Sequence, residues 1–290
     1  MNQNKSKWEE LFLSYAPVLE GQALQEAIDK ILEKEYEQCN TVEVKKALHG
    51  MIDLTTLAGA DTETKVAALV HSVNDFEGTD ESVPSVAAIC VYPNFVPTVL
   101  ETLTAEGVRV ACVSGAFPAS QSFAEVKVAE VSLAARAGAH EIDIVLNLGR
   151  FLEGDYTEAG DEIFELKSAA REAHLKAILE TGALQEPERI RRASILALVS
   201  GADFLKTSTG KEYPGASLEA AYIMCSVIRE FYKKTGEKRG IKFSGGIKTS
   251  TDAVRYYCIV KDVLGQEWLT PELMRIGASS LVANLQKDIL

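Results

Sequence analysis

The sequence is poor in the residues that build metal sites and disulfide frameworks. Among its 290 residues there are only 5 cysteines and 4 histidines. The cysteines lie far apart with no CxxC pair, so we expect reduced and mostly buried thiols. The histidines show neither HxxxH nor HxH spacing. The sequence therefore predicts no structural metal site.

Long apolar runs and flexible linkers are also missing. No apolar stretch approaches ~20 residues, the length of a membrane-spanning helix. The first residues are amphipathic and lack the apolar core of a signal peptide. We therefore expect a cytoplasmic protein with no membrane partner. The 8 prolines are scattered singly and no Gly/Ser-rich stretch divides the chain, which indicates one main domain.

The overall charge is acidic. Lys and Arg number 30 against 42 Asp and Glu, which gives a formal net charge of −12. This balance argues against nucleic acid or an anionic membrane surface as the principal partner. A small phosphorylated substrate remains compatible with it, because a local cluster of lysines can override the overall field.

From residue 50 onward the sequence repeats one unit, a short apolar strand followed by a loop and an amphipathic helix. The helices carry apolar residues at a spacing of 3.6, as in Val66, Leu69, Val70 and Val73. The predicted strands are residues 51–55, 86–92, 109–114, 141–147, 175–181, 202–208, 240–244 and 275–277. Strands that alternate with such helices pair in parallel with right-handed crossovers. Eight repeats predict an α/β protein with a closed (β/α)8 barrel, the TIM barrel, over residues 50–290.

Residues 1–49 precede the first predicted strand and carry two helical stripes. One includes Trp8 and Phe12, and the other includes Leu24, Ile28 and Ile31. We expect an N-terminal helical extension that caps the bottom of the barrel or packs on its side. An oligomer contact, as in a homodimer, is the alternative.

Four predicted strands place a charged residue between less polar neighbours. These residues are Asp53, Asp143, Lys206 and Lys242. Because side chains alternate faces along a strand, the apolar neighbours can face the helices while the charged groups point into the barrel. Ionisable groups in that position are costly unless they pair. A purely structural barrel would use Val, Ile or Leu there, so the pattern indicates a functional interior.

Lys206 lies near the C-terminal end of the sixth strand, where barrel enzymes place catalytic groups. A lysine is a nucleophile only when neutral, so its pKa must fall well below the usual ~10.4. Burial lowers the pKa of a lysine, and so does a neighbouring cation, which Lys242 on the adjacent strand could supply. The alternative is structural: each lysine is neutralised by a carboxylate, with Asp53 and Asp143 as counterions. The position of Lys206 favours a nucleophile.

Three loops resemble phosphate cradles. They are residues 207–211, 244–248 and 277–280, which follow the last three strands and are rich in Gly, Ser and Thr. Glycines let backbone N–H groups approach an anion, and a helix N-terminus adds its dipole. Each loop alone could be an ordinary turn with a helix cap at Ser279 or Ser280. Together, at these strand ends, they favour a phosphate site.

The sequence resembles the deoxyribose-phosphate aldolases, a family of class I aldolases. The matching segments are residues 53–57, 88–93, 141–145, 180–182, 204–210, 245–248 and 277–280, in that order. The resemblance implies reversible cleavage of 2-deoxyribose 5-phosphate to glyceraldehyde 3-phosphate and acetaldehyde, in deoxyribonucleotide catabolism. It implies a lysine Schiff base and neither a metal nor an organic cofactor.

The resemblance also implies a role for individual residues. Lys206 corresponds to the Schiff-base lysine, Lys242 to a second lysine that tunes it, and Asp143 to the acid/base aspartate. Further pocket residues are Asp53, Cys90 and Lys176. The phosphate is expected at Gly210, Lys211, Gly245, Gly246, Ser279 and Ser280.

Two departures from the family pattern stand out. Phe243 occupies a position where many relatives carry proline, and by alternation it should face the helices and alter packing more than chemistry. The sequence ends at Leu290 without the tail and terminal tyrosine of some relatives, which we expect to bear on the rate of proton transfer.

Two other functions compete: a Schiff-base aldolase or transaldolase acting on a ketose phosphate, and a non-catalytic barrel that binds a phosphosugar.

Overall fold

The computed structural model describes residues 7–290. Eight parallel strands pair in chain order and close into a barrel, with the last strand against the first. The strands are β1 Ile52–Thr55, β2 Ala88–Val91, β3 Arg109–Val113, β4 Glu141–Val145, β5 His174–Ile178, β6 Phe204–Lys206, β7 Gly240–Ser244 and β8 Met274–Ala278. Each overlaps one predicted strand, so the predicted TIM barrel is confirmed.

Helices separate the strands and surround them. They are α1 Lys7–Leu13, α2 Gly21–Cys39, α3 Val42–His49, α4 Glu63–Phe76, α5 Val96–Thr102, α6 Ala124–Arg136, α7 Leu148–Leu152, α8 Tyr156–Ala170, α9 Thr181–Leu184, α10 Pro187–Val199, α11 Leu218–Thr235, α12 Ser250–Val263 and α13 Leu281–Ile289. Several begin at a side chain that caps the first turn; Thr249 and Asp252 form a capping box at α12. No helix in this part of the chain is long and apolar enough to cross a membrane.

The three helices before β1 lie against the outer helices of the barrel. α2 packs along α12 and α11, and α3 packs against α13. α1 is held to α10 by charge, because Arg192 contacts Glu9 at 2.9 Å and Arg191 donates to the carbonyl of Phe12 at 3.0 Å. The described part of the predicted extension therefore lies on the side of the barrel, while its residues 1–6 fall outside the described residues.

Alternation along the short strands separates an apolar outer face from an inner face that carries charged groups on β1 and β4 to β8 and small apolar residues on β2 and β3. Ile142 and Ile144 belong to the apolar core between the sheet and the helices. Phe243 also faces outward, with its ring centroid 4.7 Å from that of Tyr256 on α12, as its position in β7 predicts. Inside the barrel, a side chain at Gly240 would collide with the ring of Phe204. The small residue therefore makes room for a bulky inward neighbour.

Candidate active site

Six buried side chains form a closed ring of alternating charge inside the barrel. In order around the ring they are Asp143, Lys242, Asp53, Arg275, Glu141 and Lys176. The nitrogen–oxygen contacts between successive members, returning to Asp143, measure 2.8, 2.5, 2.7, 2.8, 2.6 and 3.0 Å. No member is more than 2% exposed. We call this set the charge ring, and it satisfies the requirement that buried charges be paired.

Lys206 attaches to the charge ring from outside it. Its Nζ donates to Oδ2 of Asp143 at 2.8 Å, and the residue is 3% exposed. The oxygen that receives Lys206 also receives Lys242, which is in register with Lys206 on the neighbouring strand. Three carboxylates thus face four basic groups in this cluster. The carboxylates act as counterions to three of the basic groups, and the fourth has no carboxylate to balance its charge.

The environment favours proton loss from Lys206 over the other lysines. Burial lowers the pKa of Lys206 from its ordinary value; the Asp143 carboxylate opposes this shift and the Lys242 cation adds to it. Burial acts the same way on Lys242 and Lys176, but the surrounding carboxylates outweigh it, and the pKa of each is raised. Lys206 is therefore the lysine of this cluster whose neutral form is favoured.

The carboxylates of the charge ring stay ionised. Burial alone would raise the pKa of Asp143, but Lys176, Lys206 and Lys242 together hold it well below its usual value. Lys242 and Arg275 outweigh burial in the same way at Asp53, whose pKa is also lowered. Asp143 can therefore accept hydrogen bonds from Lys206 and act on protons near it through water.

Cys90 lies on β2 and is completely buried. Burial raises the pKa of its thiol despite the nearby lysines. A neutral thiol is a weak nucleophile, so Cys90 contributes shape to the pocket wall and not covalent chemistry. It packs with Ala88, Ala111 and Val113, inward residues of β2 and β3.

Glu180 follows β5 and organises the loop after β6. Its backbone is left-handed, with φ of 53°, and the residue is 2% exposed. The carboxylate accepts from the backbone N–H of Thr209 at 3.3 Å and from the Thr209 hydroxyl at 2.5 Å. Thr209 Oγ1 in turn accepts from the N–H of Lys211 at 3.2 Å. A strained, buried carboxylate at a strand end is typical of a functional site.

The loops after β6 and β7, together with the end of β8 and the turn into α13, form the mouth of the barrel at this end. We call residues 207–217, 245–249 and 277–280 the rim loops. Gly210, Gly245 and Gly246 have φ of 73°, 88° and 85°. Loop contact is close, because a Cβ on Gly245 would lie 2.7 Å from the Cα of Gly215. Lys211 Nζ donates to the carbonyl of Leu57, which ties these loops to the one after β1.

Ser279 and Ser280 are exposed and lead into α13. Ser280 occupies the N-cap position, yet its side chain makes no capping hydrogen bond. The first N–H groups of a helix have no intrahelical acceptor, so this end can meet an anion. Asn284 on α13 donates to the carbonyl of Lys248 at 2.8 Å, which joins the helix to the loop after β7.

The structure brings together the five charged residues expected in the pocket, and it adds three that sequence reasoning missed. Glu141 lies two residues before Asp143, so the same alternation that placed Asp143 inside the barrel could have found it. Arg275 lies two residues before Gly277 on β8, so the same alternation places the two residues on one face of the strand. Glu180 carries no comparable signal, because its role depends on a left-handed backbone that a sequence does not display.

Within residues 7–290, no group of three or more His, Cys, Asp and Glu side chains could hold a metal ion. All five cysteines are buried free thiols.

Comparison with known proteins gives a consistent result. Residues 48–287 match a sequence model described as DeoC/LacD family aldolase. Deoxyribose-phosphate aldolase of Mus musculus is 41% identical over 82% of this chain and 78% of its own length, and that of Homo sapiens is 40% identical with the same coverage. A solved structure, the tetrameric deoxyribose phosphate aldolase of Aeropyrum pernix, superposes with a TM-score of 0.66 at 26% identity, covering 90% of this chain and 97% of its own.

Proposed function

The chain belongs to the DeoC/LacD family of aldolases, and we propose that it cleaves 2-deoxy-D-ribose 5-phosphate reversibly to D-glyceraldehyde 3-phosphate and acetaldehyde. The bond-breaking step proceeds through a Schiff base on Lys206. The physiological role is the catabolism of deoxyribonucleotides in the cytoplasm.

One observation carries this proposal: Lys206 is a buried lysine at the end of β6, hydrogen-bonded to Asp143 and in register with Lys242. A nucleophilic lysine needs a lowered pKa, a group that moves protons and access from the mouth of the barrel. Burial and the Lys242 cation provide the first, Asp143 the second, and the C-terminal end of the strand the third.

The proposed cycle begins when neutral Lys206 Nζ attacks the aldehyde carbon of the open-chain sugar. The carbinolamine loses water and leaves a protonated imine. The 3-hydroxyl then gives its proton to Asp143 through a water molecule, the bond between C2 and C3 breaks, and its electron pair enters the imine as an enamine. Protonation of the enamine and hydrolysis release acetaldehyde and restore the amine. The imine serves as the electron sink, so the cycle requires no metal or organic cofactor.

The rim loops provide a second requirement, a place for the 5-phosphate. Backbone N–H groups near Gly210, Gly245 and Gly246 and the start of α13 at Ser279 and Ser280 are suited to a dianion. Lys211 contributes positive charge to the same loops, although in this structure its Nζ contacts the carbonyl of Leu57. Asp53, Cys90 and Lys176 line the pocket further in.

Borohydride reduction in the presence of deoxyribose 5-phosphate, followed by peptide mapping, tests the proposal. We expect a reduced two-carbon adduct on the peptide that contains Lys206. An adduct on another lysine would identify that lysine as the nucleophile in place of Lys206. No adduct, together with reversible binding of the sugar phosphate, would indicate a binding protein. A donor assay that prefers dihydroxyacetone over acetaldehyde would indicate a ketose-specific aldolase.

A further inference from the structure

Glu141 and Arg275 complete the charge ring at the end of the barrel away from the mouth. Glu141 is the first residue of β4, and its carboxylate also lies 3.7 Å from Arg109, the first residue of β3. Arg275 Nε donates to the carbonyl of Pro271, which precedes β8. Neither side chain contacts Lys206. They are buried, paired and remote from the position where a carbonyl would react.

The charge ring is balanced without Lys206. It contains three carboxylates and three cations, and the guanidinium of Arg275 stays protonated at any working pH. A proton on Lys206 would therefore give the buried cluster a net positive charge. Because an unbalanced charge in a low-dielectric interior is costly, the balance itself disfavours that proton.

We infer that Glu141 and Arg275 are positioning residues that together set the net charge of the ring to which Lys206 is attached, Arg275 favouring the neutral amine and Glu141 opposing it. This inference deepens the proposed function and rests on it. It assigns to the far end of the barrel an effect on the reactive amine that is transmitted through Asp53, Lys176, Lys242 and Asp143.

The other groups around Lys206 do not alter the comparison. From the strands and their ends these are Asp53 on β1, Cys90 on β2, Asp143 on β4, Lys176 on β5, Glu180 after β5 and Lys242 on β7. The neighbouring β3 presents Ala111 and Val113 to the interior. Each of these groups is the same in wild type and in the variants below. A difference between variants therefore reports the charge removed at Glu141 or Arg275.

The test measures the acid limb of the pH profile of kcat/KM, which follows deprotonation of Lys206 in the free enzyme. Glu141→Gln removes a negative charge, leaves the cluster more positive and should move the limb to lower pH. Arg275→Gln removes a positive charge and should move the limb to higher pH. Removal of one unit charge from the buried cluster should shift the limb by about one pH unit.

The double variant Glu141→Gln/Arg275→Gln is the decisive arm. It removes one charge of each sign, so the limb should return toward its wild-type position. If the two residues only supported the fold, the double variant would be at least as impaired as the single ones, and the limb would not return. Because a single variant can fold poorly, the limb is also measured by borohydride trapping per folded molecule, with folding followed by circular dichroism.

Arg109→Gln is the matched control. Arg109 also contacts Glu141, but its side chain is 44% exposed, so solvent screens the lost charge and the limb should stay at its wild-type position. Limbs that do not move in opposite directions in the two single variants would overturn the inference. That result is separate from failure of the proposed function, which would appear as no adduct on Lys206 in wild type.

Discussion

The charge ring lies within the barrel and the rim loops lie at its mouth, and each handles charge by different means. In the charge ring every ionised side chain has an ionised partner, and no member is more than 2% exposed. In the rim loops positive-φ glycines and a helix start offer backbone N–H groups, and Ser279 and Ser280 are exposed.

This difference follows from what each region must hold. The interior holds a permanent set of charges whose sum decides whether Lys206 carries a proton. In the proposed function, the rim holds a phosphate that enters and leaves with each turnover. Side-chain pairs suit the first task because they stay fixed, whereas backbone N–H groups suit the second because they bring no permanent counterion that must be displaced. Substitutions in the two regions should therefore fail in different ways.

The largest effect is expected from Lys206→Ala, which removes the amine that forms the imine. Cleavage of deoxyribose 5-phosphate should fall below about 1% of the wild-type rate, since no other side chain can replace a covalent nucleophile. The measurement is a coupled assay of released glyceraldehyde 3-phosphate. Binding of the sugar phosphate to the rim should survive and can be followed by calorimetry. Activity well above that level would assign the nucleophile to another lysine.

Lys242→Leu should shift the pH profile of kcat/KM more than it weakens binding of the sugar phosphate. The cation beside Lys206 disfavours a second proton, so its loss lets Lys206 hold a proton more tightly and raises the pKa of Lys206. The acid limb of kcat/KM should move upward by about one pH unit. At pH values below the limb this corresponds to roughly tenfold lower activity. Lys242→Arg, which keeps the charge, serves as the control. A reduced rate with an unmoved limb would make Lys242 a proton carrier only.

The charge ring was also the more predictable of the two regions from sequence. Alternation along short strands is a period-two pattern, so Asp53, Asp143, Lys206 and Lys242 could be assigned to the interior before any coordinates. The same alternation places Glu141 inside the barrel. The assignment is ambiguous from sequence, however, because a charged residue at the end of a strand is also common on a protein surface. Which cation meets which carboxylate depends on register and tilt, and these are set by the closed barrel.

The rim loops were predictable only as glycine-rich segments. Their contacts depend on left-handed backbone at Gly245 and at Glu180, whose carboxylate binds Thr209 in the loop after β6. The loops also lie close together, since a Cβ on Gly245 would be 2.7 Å from the Cα of Gly215. Only glycine adopts such a conformation freely, but the sequence does not say which glycine does so. Helix caps show the same limitation: Ser280 occupies a cap position and yet makes no capping hydrogen bond.

Gly245→Ala should damage the rim and leave the charge ring intact. Its φ of 88° disfavours a side chain, and the added Cβ would lie 2.7 Å from the Cα of Gly215, so one loop must move. We expect KM for deoxyribose 5-phosphate to rise about tenfold, since displaced N–H groups lose hydrogen bonds to the phosphate. Gly236→Ala is the matched control because Gly236 has φ of 77° but nothing within 4 Å of an added Cβ. Equal changes in KM in both variants would make the effect one of stability.

Ser280→Asp should give the smallest effect and should fall on the rim alone. The new carboxylate would stand at the start of α13, where the phosphate is expected, but the side chain is exposed. Water therefore screens most of the repulsion: two unit charges about 4 Å apart interact by roughly 1 kcal/mol in water, against about 4 kcal/mol near a protein surface. The lower figure corresponds to a rise in KM for deoxyribose 5-phosphate of about fivefold, with kcat retained.

Comparison with unphosphorylated deoxyribose tests whether Ser280 lies at the phosphate site. Turnover of unphosphorylated deoxyribose should be unaffected by Ser280→Asp, because it presents no anion to the new carboxylate. The uncharged variant Ser280→Asn separates charge from shape and should leave both substrates unchanged. Added salt should reduce the penalty on the phosphorylated substrate, since exposed charges are screened over a Debye length. Equal losses on the two substrates would remove Ser280 from the phosphate site. The anion would then have to be held by the loops after β6 and β7, where Lys211 and Lys248 provide the nearest positive charge in the sequence.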